Sequence, residues 1–227
     1  MAAQRSPRLD LAAMTSARPL GVRAQAAAAT RENILRAATK VFAKHGFAGG
    51  KVDQISKAAK SYDRMIYYYF GSKEGLFIAV LEEIYRRFND AESKLSLADA
   101  HPVDALKSVI RFMWVHYQKH PEFITLLNTE NLHRGKHISK SLRAAEYSSP
   151  AVSVLGEVLT RGVQLKLFRA DVAARDVYLM IASMAYFYLS NRFTLSAFLG
   201  QQLETPEALA HWEAFLIDAV LRTVRPM

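Results

Sequence analysis

The stretch Arg64-Met65-Ile66-Tyr67-Tyr68-Tyr69-Phe70-Gly71-Ser72-Lys73 gathers a guanidinium, three phenols and an ammonium group. Positive charge, hydroxyl donors and aromatic faces are the chemistry that grips phosphate oxygens and reads the edges of bases. Four consecutive aromatics on a helix would point around its whole circumference, whereas a core-facing helix carries its apolar residues on one stripe. One tyrosine alone would by default be core with a satisfied hydroxyl. Four together cannot all be core, so some of these rings must face another surface.

The charge distribution says what that surface is. Residues 1–29 carry a net +3, residues 30–76 a net +5, and residues 77–227 only +1 of the chain's total of +9. A basic segment on a balanced body is the footprint of a polyanion, because each neutralised phosphate releases condensed counterions. The chain has no cysteine, which excludes disulfides, thiolate metal sites and cysteine nucleophiles and suits a reducing cytoplasm. Its longest mainly apolar run, Val177 to Leu189 with Ser183 inside it, is 13 residues, too short to span a hydrocarbon core of roughly 30 Å. A buried helix is expected there and no membrane partner.

The elements that must position the aromatic stretch are short helices. Thr30 is expected to cap the first, with Ile34, Ala38, Val41 and Phe42 at helical spacing and Gly46 as its stop. Val52, Ile55 and Ala59 mark a second, and Tyr62 to Phe70 a third that Gly71-Ser72 breaks. Ser72 caps a longer fourth helix, with Leu76, Val80, Ile84 and Phe88 on one face, that fades by Leu97. Further helices are predicted over 103–120, 150–168, 172–198 and 206–223 from proline and capping signals. With no sustained strand alternation, the chain reads as all-α. Residues 1–29 are expected to form a disordered basic tail, shorter if translation starts at Met14, residues 30–76 a three-helix DNA-binding unit, and residues 77–227 a helical bundle.

Two short helices joined by a tight turn, the second polar and aromatic, follow the helix-turn-helix plan, whose second helix fits a major groove roughly 12 Å wide. The turn is Lys60-Ser61 and the reading helix Tyr62 to Tyr69. Over residues 30–80 the segments "TRENILRAATKVFAKHGF", "VDQISKAA" and "IYYYFGSKEGLFIAVL" resemble the N-terminal domain of the tetracycline-repressor (TetR) family of transcriptional regulators. The resemblance implies that Arg64 and Tyr67 face bases, that Tyr68 and Tyr69 present hydroxyls to phosphates, that Phe70 is internal, and that Lys73 binds a phosphate at a helix N-terminus. Where relatives have Gly-Val-Ser-Lys-Gly-Thr, this chain has Lys60-Ser61-Tyr62-Asp63-Arg64-Met65. Lys60 must therefore adopt a turn conformation that glycine takes more easily. Tyr62 replaces a capping serine, and Lys51 stands where a capping threonine is common; both join the DNA-facing set. Arg64 is the specificity candidate, through a bidentate pair with guanine. Asp63 is expected to select a cytosine amino group or to orient Arg64.

Other motifs fail on detail. Gly46 to Lys51 is one residue short of a phosphate-binding P-loop and has Val52 where serine or threonine is required. His133 and His137 are four apart, but Gly135 lies between them and no obvious carboxylate completes a zinc set. The histidine-rich loop is read as solvated.

The resemblance further implies an effector pocket in the bundle and a dimer of two reading heads. Phe112, Met113, His116, Tyr117, Phe123, Tyr178, Met184 and Tyr188 are the candidate ligand walls. Leu189, Phe193, Leu209, Trp212, Phe215, Leu216 and Val220 are the candidate dimer surface. The expected protein is a homodimer, probing a palindromic operator in double-stranded DNA and released by a small-molecule effector, with no cofactor. Two alternatives stay open: an effector-independent DNA-binding protein, and a helical enzyme, for which no catalytic set is recognisable.

Overall fold

A computed structural model describes residues 21–95 and 97–226, with the backbone alone for 144–151. Residues 1–20, and with them Met14, lie outside the described part. Among the described residues the chain is nine α-helices and one 3-10 turn, with no strand. The helices are α1 Val22–Gly49, α2 Val52–Ala58, α3 Asp63–Phe70, α4 Lys73–Glu92, α5 Pro102–Lys119, α6 Pro121–Leu132, α7 Ala144–Gln164, α8 Ala174–Leu199 and α9 Pro206–Val224. The 3-10 turn is Ile138–Lys140. No helix among the described residues is long and apolar enough to cross a membrane.

Helix α1 begins eight residues before Thr30, so that part of the expected tail is helical. The run Ala26 to Ala29 explains it, since alanine is the best helix former. Thr30 is therefore no cap: its hydroxyl donates to the Ala26 carbonyl inside the helix. Gly46 breaks the helical path with φ 66° and ψ 178°. Ser72 does cap α4, accepting from the Gly75 N–H at 2.9 Å, and Thr205 caps α9 by accepting from the Ala208 N–H at 3.2 Å. Pro121 opens α6, a helix not among those predicted, and α7 starts at Ala144, six residues before the predicted 150.

One continuous core runs through the molecule. Ile34, Phe42, Ile55, Ile66, Leu76 and Phe77 are fully buried where α1 to α4 meet, and Leu106, Ile110, Met113, Trp114 and Leu126 continue the core into the bundle. Helix α1 packs on α6 as well as on α2 and α4. The helix-turn-helix unit is thus seated on the bundle through α1 and α4, and α3 touches only α2 and α4 among the major contacts.

Candidate functional site

Helix α3 has one fully buried residue. Ile66 is fully buried, whereas Tyr67 is 52% and Tyr68 77% exposed. Arg64 is exposed too, three and four residues before them, so the three share one helix face. The Arg64 guanidinium lies 5.3 Å from the ring centre of Tyr62, itself exposed at the start of the helix. Tyr69 is half-buried, edge-on to Tyr68 at 5.0 Å and packed on the core, so its ring supports the outward face. Phe70, expected to be internal, is only half-buried, with the Arg31 guanidinium 5.0 Å above its ring. The anchoring role belongs to Ile66, and its place opposite Arg64, Tyr67 and Tyr68 on the helix is the sequence signal for it.

Three local devices fix how α3 is presented. Lys60 takes φ 50°, the left-handed turn that its position demands. Asp63 accepts a hydrogen bond from the Ser56 hydroxyl of α2. Asp63 thereby fastens the reading helix to its neighbour, and its charge at the first turn also suits the helix dipole. At the other end, a β-carbon on Gly75 would lie 2.1 Å from the Phe70 carbonyl oxygen. Only glycine permits α4 to start so close under the end of α3.

Lys73 and Lys51 occupy the edges of this surface. The Lys73 ammonium donates to the Ala48 carbonyl at 3.3 Å and sits 4.9 Å from the Phe47 ring centre, and partial burial lowers its pKa. It therefore ties the end of α1 to the start of α4. Lys51 is exposed at the start of α2, where its N–H donates to Gln54 Oε1 at 3.4 Å.

Behind the reading head the histidine-rich loop, expected to be solvated, forms a buried polar joint. His137 is 1% exposed, and its Nδ1 pairs with Glu130 Oε2 at 2.7 Å. Glu130 Oε1 also accepts from the N–H groups of His137 and Ile138, at 2.7 and 2.9 Å. The His137 ring packs on Phe47 at 4.4 Å and Phe77 at 5.0 Å. Nearby, Lys140 pairs with Glu74 at 2.7 Å and Ser141 donates to Glu82 at 2.5 Å. The end of α6 and the 3-10 turn thus grip both α1 and α4.

In the bundle, the candidate ligand walls are mostly packing. Tyr117 stacks on Phe123 at 5.4 Å, Phe88 meets Phe112 at 5.2 Å and His116 at 4.9 Å, and Tyr188 stacks on Trp212 at 4.8 Å. Met113 is fully buried, Tyr178 and Met184 half-buried, and the Met184 carbonyl accepts from the Trp212 indole at 3.3 Å. A cavity of about 920 Å³ opens elsewhere, between the end of α4, the segment after it and α7, and none of the eight expected residues lines it. Tyr117 lines a smaller one of about 250 Å³ with Leu189, Arg192 and Leu209. Burial pushes His116 down to about 4 and Glu92 up to about 7.

The expected dimer surface also needs correction. Leu189, Leu216 and Val220 are buried within the single chain, so they cannot be offered to a partner. Leu209 and Trp212 are half-buried. The exposed apolar groups of α8 and α9 are Leu179, Phe187, Phe193, Phe198, Leu199 and Phe215.

A helix-turn-helix that turns an arginine and two tyrosines outward, on an all-helical body, defines a DNA-binding regulator of transcription. Comparison with known proteins agrees. Residues 34–80 match the family described as bacterial regulatory proteins, tetR family, and residues 102–220 match the tetracyclin repressor-like C-terminal domain. The chain is 54% identical over 208 residues to the HTH-type transcriptional repressor NicS of Pseudomonas putida, covering 92% of this chain and 98% of that protein. Its fold is similar to that of the transcriptional regulator FadR from Bacillus subtilis in complex with stearoyl-CoA, with a TM-score of 0.66 at 19% identity over 86% of this chain and 99% of that one. The fatty acid degradation regulator FadR from Bacillus halodurans is equally similar, with a TM-score of 0.66 at 22% identity over 86% and 99% of the two chains. The chain belongs to the TetR family of transcriptional regulators; it is a regulator and not an enzyme.

Proposed function

We propose that this protein is a cytoplasmic homodimeric repressor that occupies a palindromic operator and leaves it when a small effector binds the bundle. The observation that carries the reading is the outward face of α3, where Arg64, Tyr67 and Tyr68 stand free of the core that holds Ile66. Arg64 reads a base, Tyr67 lies beside it, and Tyr68, Tyr62, Lys51 and Lys73 meet the backbone, where contacts set register. Lys73 reaches a phosphate by exchanging its Ala48 contact.

Dimerisation follows from the apolar groups left on α8 and α9. Phe187, Phe193, Phe198 and Phe215 are large apolar side chains left exposed on these two helices, and sizeable exposed apolar surfaces mark protein–protein contacts. Pairing two such surfaces about a two-fold axis sets two reading heads on one duplex. Repression agrees with the 54% identical relative, NicS, being a transcriptional repressor.

The effector acts only through a difference in affinity between two arrangements of the heads. The joint at His137 and the ion pair of Lys140 with Glu74 are the contacts such a change would strain. The packed aromatic core favours a second reading, in which the bundle is dimer core alone; calorimetry with metabolites separates the two. Titrating promoter DNA at several salt concentrations tests the head. Lys73→Ala should weaken all sequences alike and reduce the salt slope by about 1, while Arg64→Ala should relax preference at one base pair by about 1–3 kcal/mol. Equal effects of both variants on specific and random DNA would refute base reading by Arg64.

A further inference from the structure

A carboxylate taken out of water is tolerable only where hydrogen bonds or an opposite charge replace its hydration. Glu92, the last residue of α4, is 2% exposed, and neither of its carboxyl oxygens has a hydrogen-bond partner. Among the described residues no other buried side chain is left in that condition. Its position makes matters worse, because the C-terminal end of a helix carries the negative pole of the dipole and repels a further negative charge.

Glu92 lines the cavity of about 920 Å³ between the end of α4 and α7. Its described lining holds three acids, Glu92, Asp99 and Glu157, against a single cation, Arg161. Arg161 is already committed: its guanidinium donates to the carbonyls of Leu97, at 2.6 Å, and Ala98. Leu95 and Val158 are among the apolar groups completing the wall. The space is thus acidic and part apolar, and Glu92 belongs to its wall with both carboxyl oxygens out of solvent contact, so pairing with a ligand requires its side chain to turn into the space.

We propose that this cavity takes a small organic cation, a protonated amine on an apolar body, whose N–H groups pair with Glu92. An anion would add like charge to three acids, and a neutral apolar molecule would leave the Glu92 carboxyl as unpaired as before. The inference rests on the effector-controlled reading above and names the chemical class of the effector. Glu92 and the capped start at Ser72 stand at opposite ends of one helix of 20 residues, about 30 Å apart at 1.5 Å per residue. A cation held at one end therefore acts on the element that carries the reading head at the other.

Three probes of equal chain length separate charge from fit: hexylamine, hexanoate and hexanol, titrated calorimetrically into the full-length protein. Hexylammonium should bind, with the other two on the order of tenfold or more weaker. Glu92→Gln should lower its affinity on the order of thirtyfold, with a melting temperature equal to or above that of the parent because a buried acid has been removed. Should that variant not fold, the three-probe comparison on the unaltered protein decides alone, and Glu157→Gln should give a smaller loss. Hexanoate binding as tightly as hexylamine, no binding of any probe, or hexylamine affinity unchanged by Glu92→Gln would each overturn the proposal. Binding of hexanoate or hexanol instead would leave the effector reading standing without the cation. Hexylammonium held at Glu92, with promoter DNA released by no compound, would preserve the site and remove the effector reading.

Discussion

Helices α3 and α5 are both rich in aromatics, yet they use them in opposite ways. Helix α3 buries Ile66 and leaves Tyr67 and Tyr68 more than half exposed, at 52% and 77%. Helix α5 buries Trp114, His116 and Tyr117 and satisfies them with one another and with neighbours: Trp114 meets Tyr188 edge-on at 5.6 Å, and Tyr117 stacks on Phe123. The difference teaches that ring content does not distinguish a recognition surface from a core. What distinguishes them is the number of elements that cover the helix. Helix α3 packs on two neighbours, α2 and α4, and α5 is enclosed by α4, α6, α7, α8 and α9.

If that comparison is right, truncations in the two helices should separate stability from DNA binding. Trp114→Ala should cost about 3–5 kcal/mol in denaturant unfolding, the range for large aromatic truncations in a core. A loss below about 1 kcal/mol would show α5 to be loosely packed. Ile66→Ala should cost about 2–4 kcal/mol and abolish DNA binding with it, because α3 has no second anchor of that kind.

The bundle has a further signature in its pH response. His116 is held at about 4 against an ordinary 6.5, chiefly by burial. As pH falls below 6.5 the unfolded chain gains a proton that the folded chain refuses, so the stability associated with neutral His116 is lost on the way down to 4. Glu92, raised from 4.5 to about 7 by burial, works the other way: its stabilisation is complete below 4.5 and is lost as pH rises through 7. The two slopes oppose each other in one window. Glu92→Gln should unmask the histidine slope, a fall of up to about 3 kcal/mol relative to the parent between about pH 7 and pH 4. Denaturant melts at three pH values test it, and parallel curves for variant and parent would contradict the assignment. Smallest of all should be Tyr68→Phe, which should leave stability within about 0.5 kcal/mol while weakening DNA by about 1 kcal/mol through one lost hydroxyl contact.

Much of this was legible before any coordinates. Helical periodicity and turn residues placed α2, α3, α4, α8 and α9, and the departure at Lys60 from the usual glycine correctly required a left-handed turn. The charge division pointed to the first third of the chain. What sequence could not supply were pairings that cross from one element to the next, even over seven residues. Asp63 looked like a base acceptor because its partner Ser56 sits on another helix. His137 looked solvated because Glu130 reaches it across the end of α6. Leu189, Leu216 and Val220 lie on the same two helices as the exposed phenylalanines, and periodicity alone does not say which face the chain keeps for itself. The cavity beside α7 escaped for a related reason, since its walls come from segments of unremarkable composition and only their juxtaposition leaves Glu92 without a partner.

The central claim is that two copies of α3 enter one duplex. Hydroxyl-radical footprinting of the full-length protein on the DNA upstream of its own gene, with Arg64→Ala beside it, tests this most directly. The account predicts protection of two half-sites related by two-fold symmetry, with centres roughly 34–36 Å apart or somewhat more, and loss of protection contrast at one base pair in each half-site for the variant. A single asymmetric half-site occupied by one chain, or a footprint indifferent to Arg64, would contradict it.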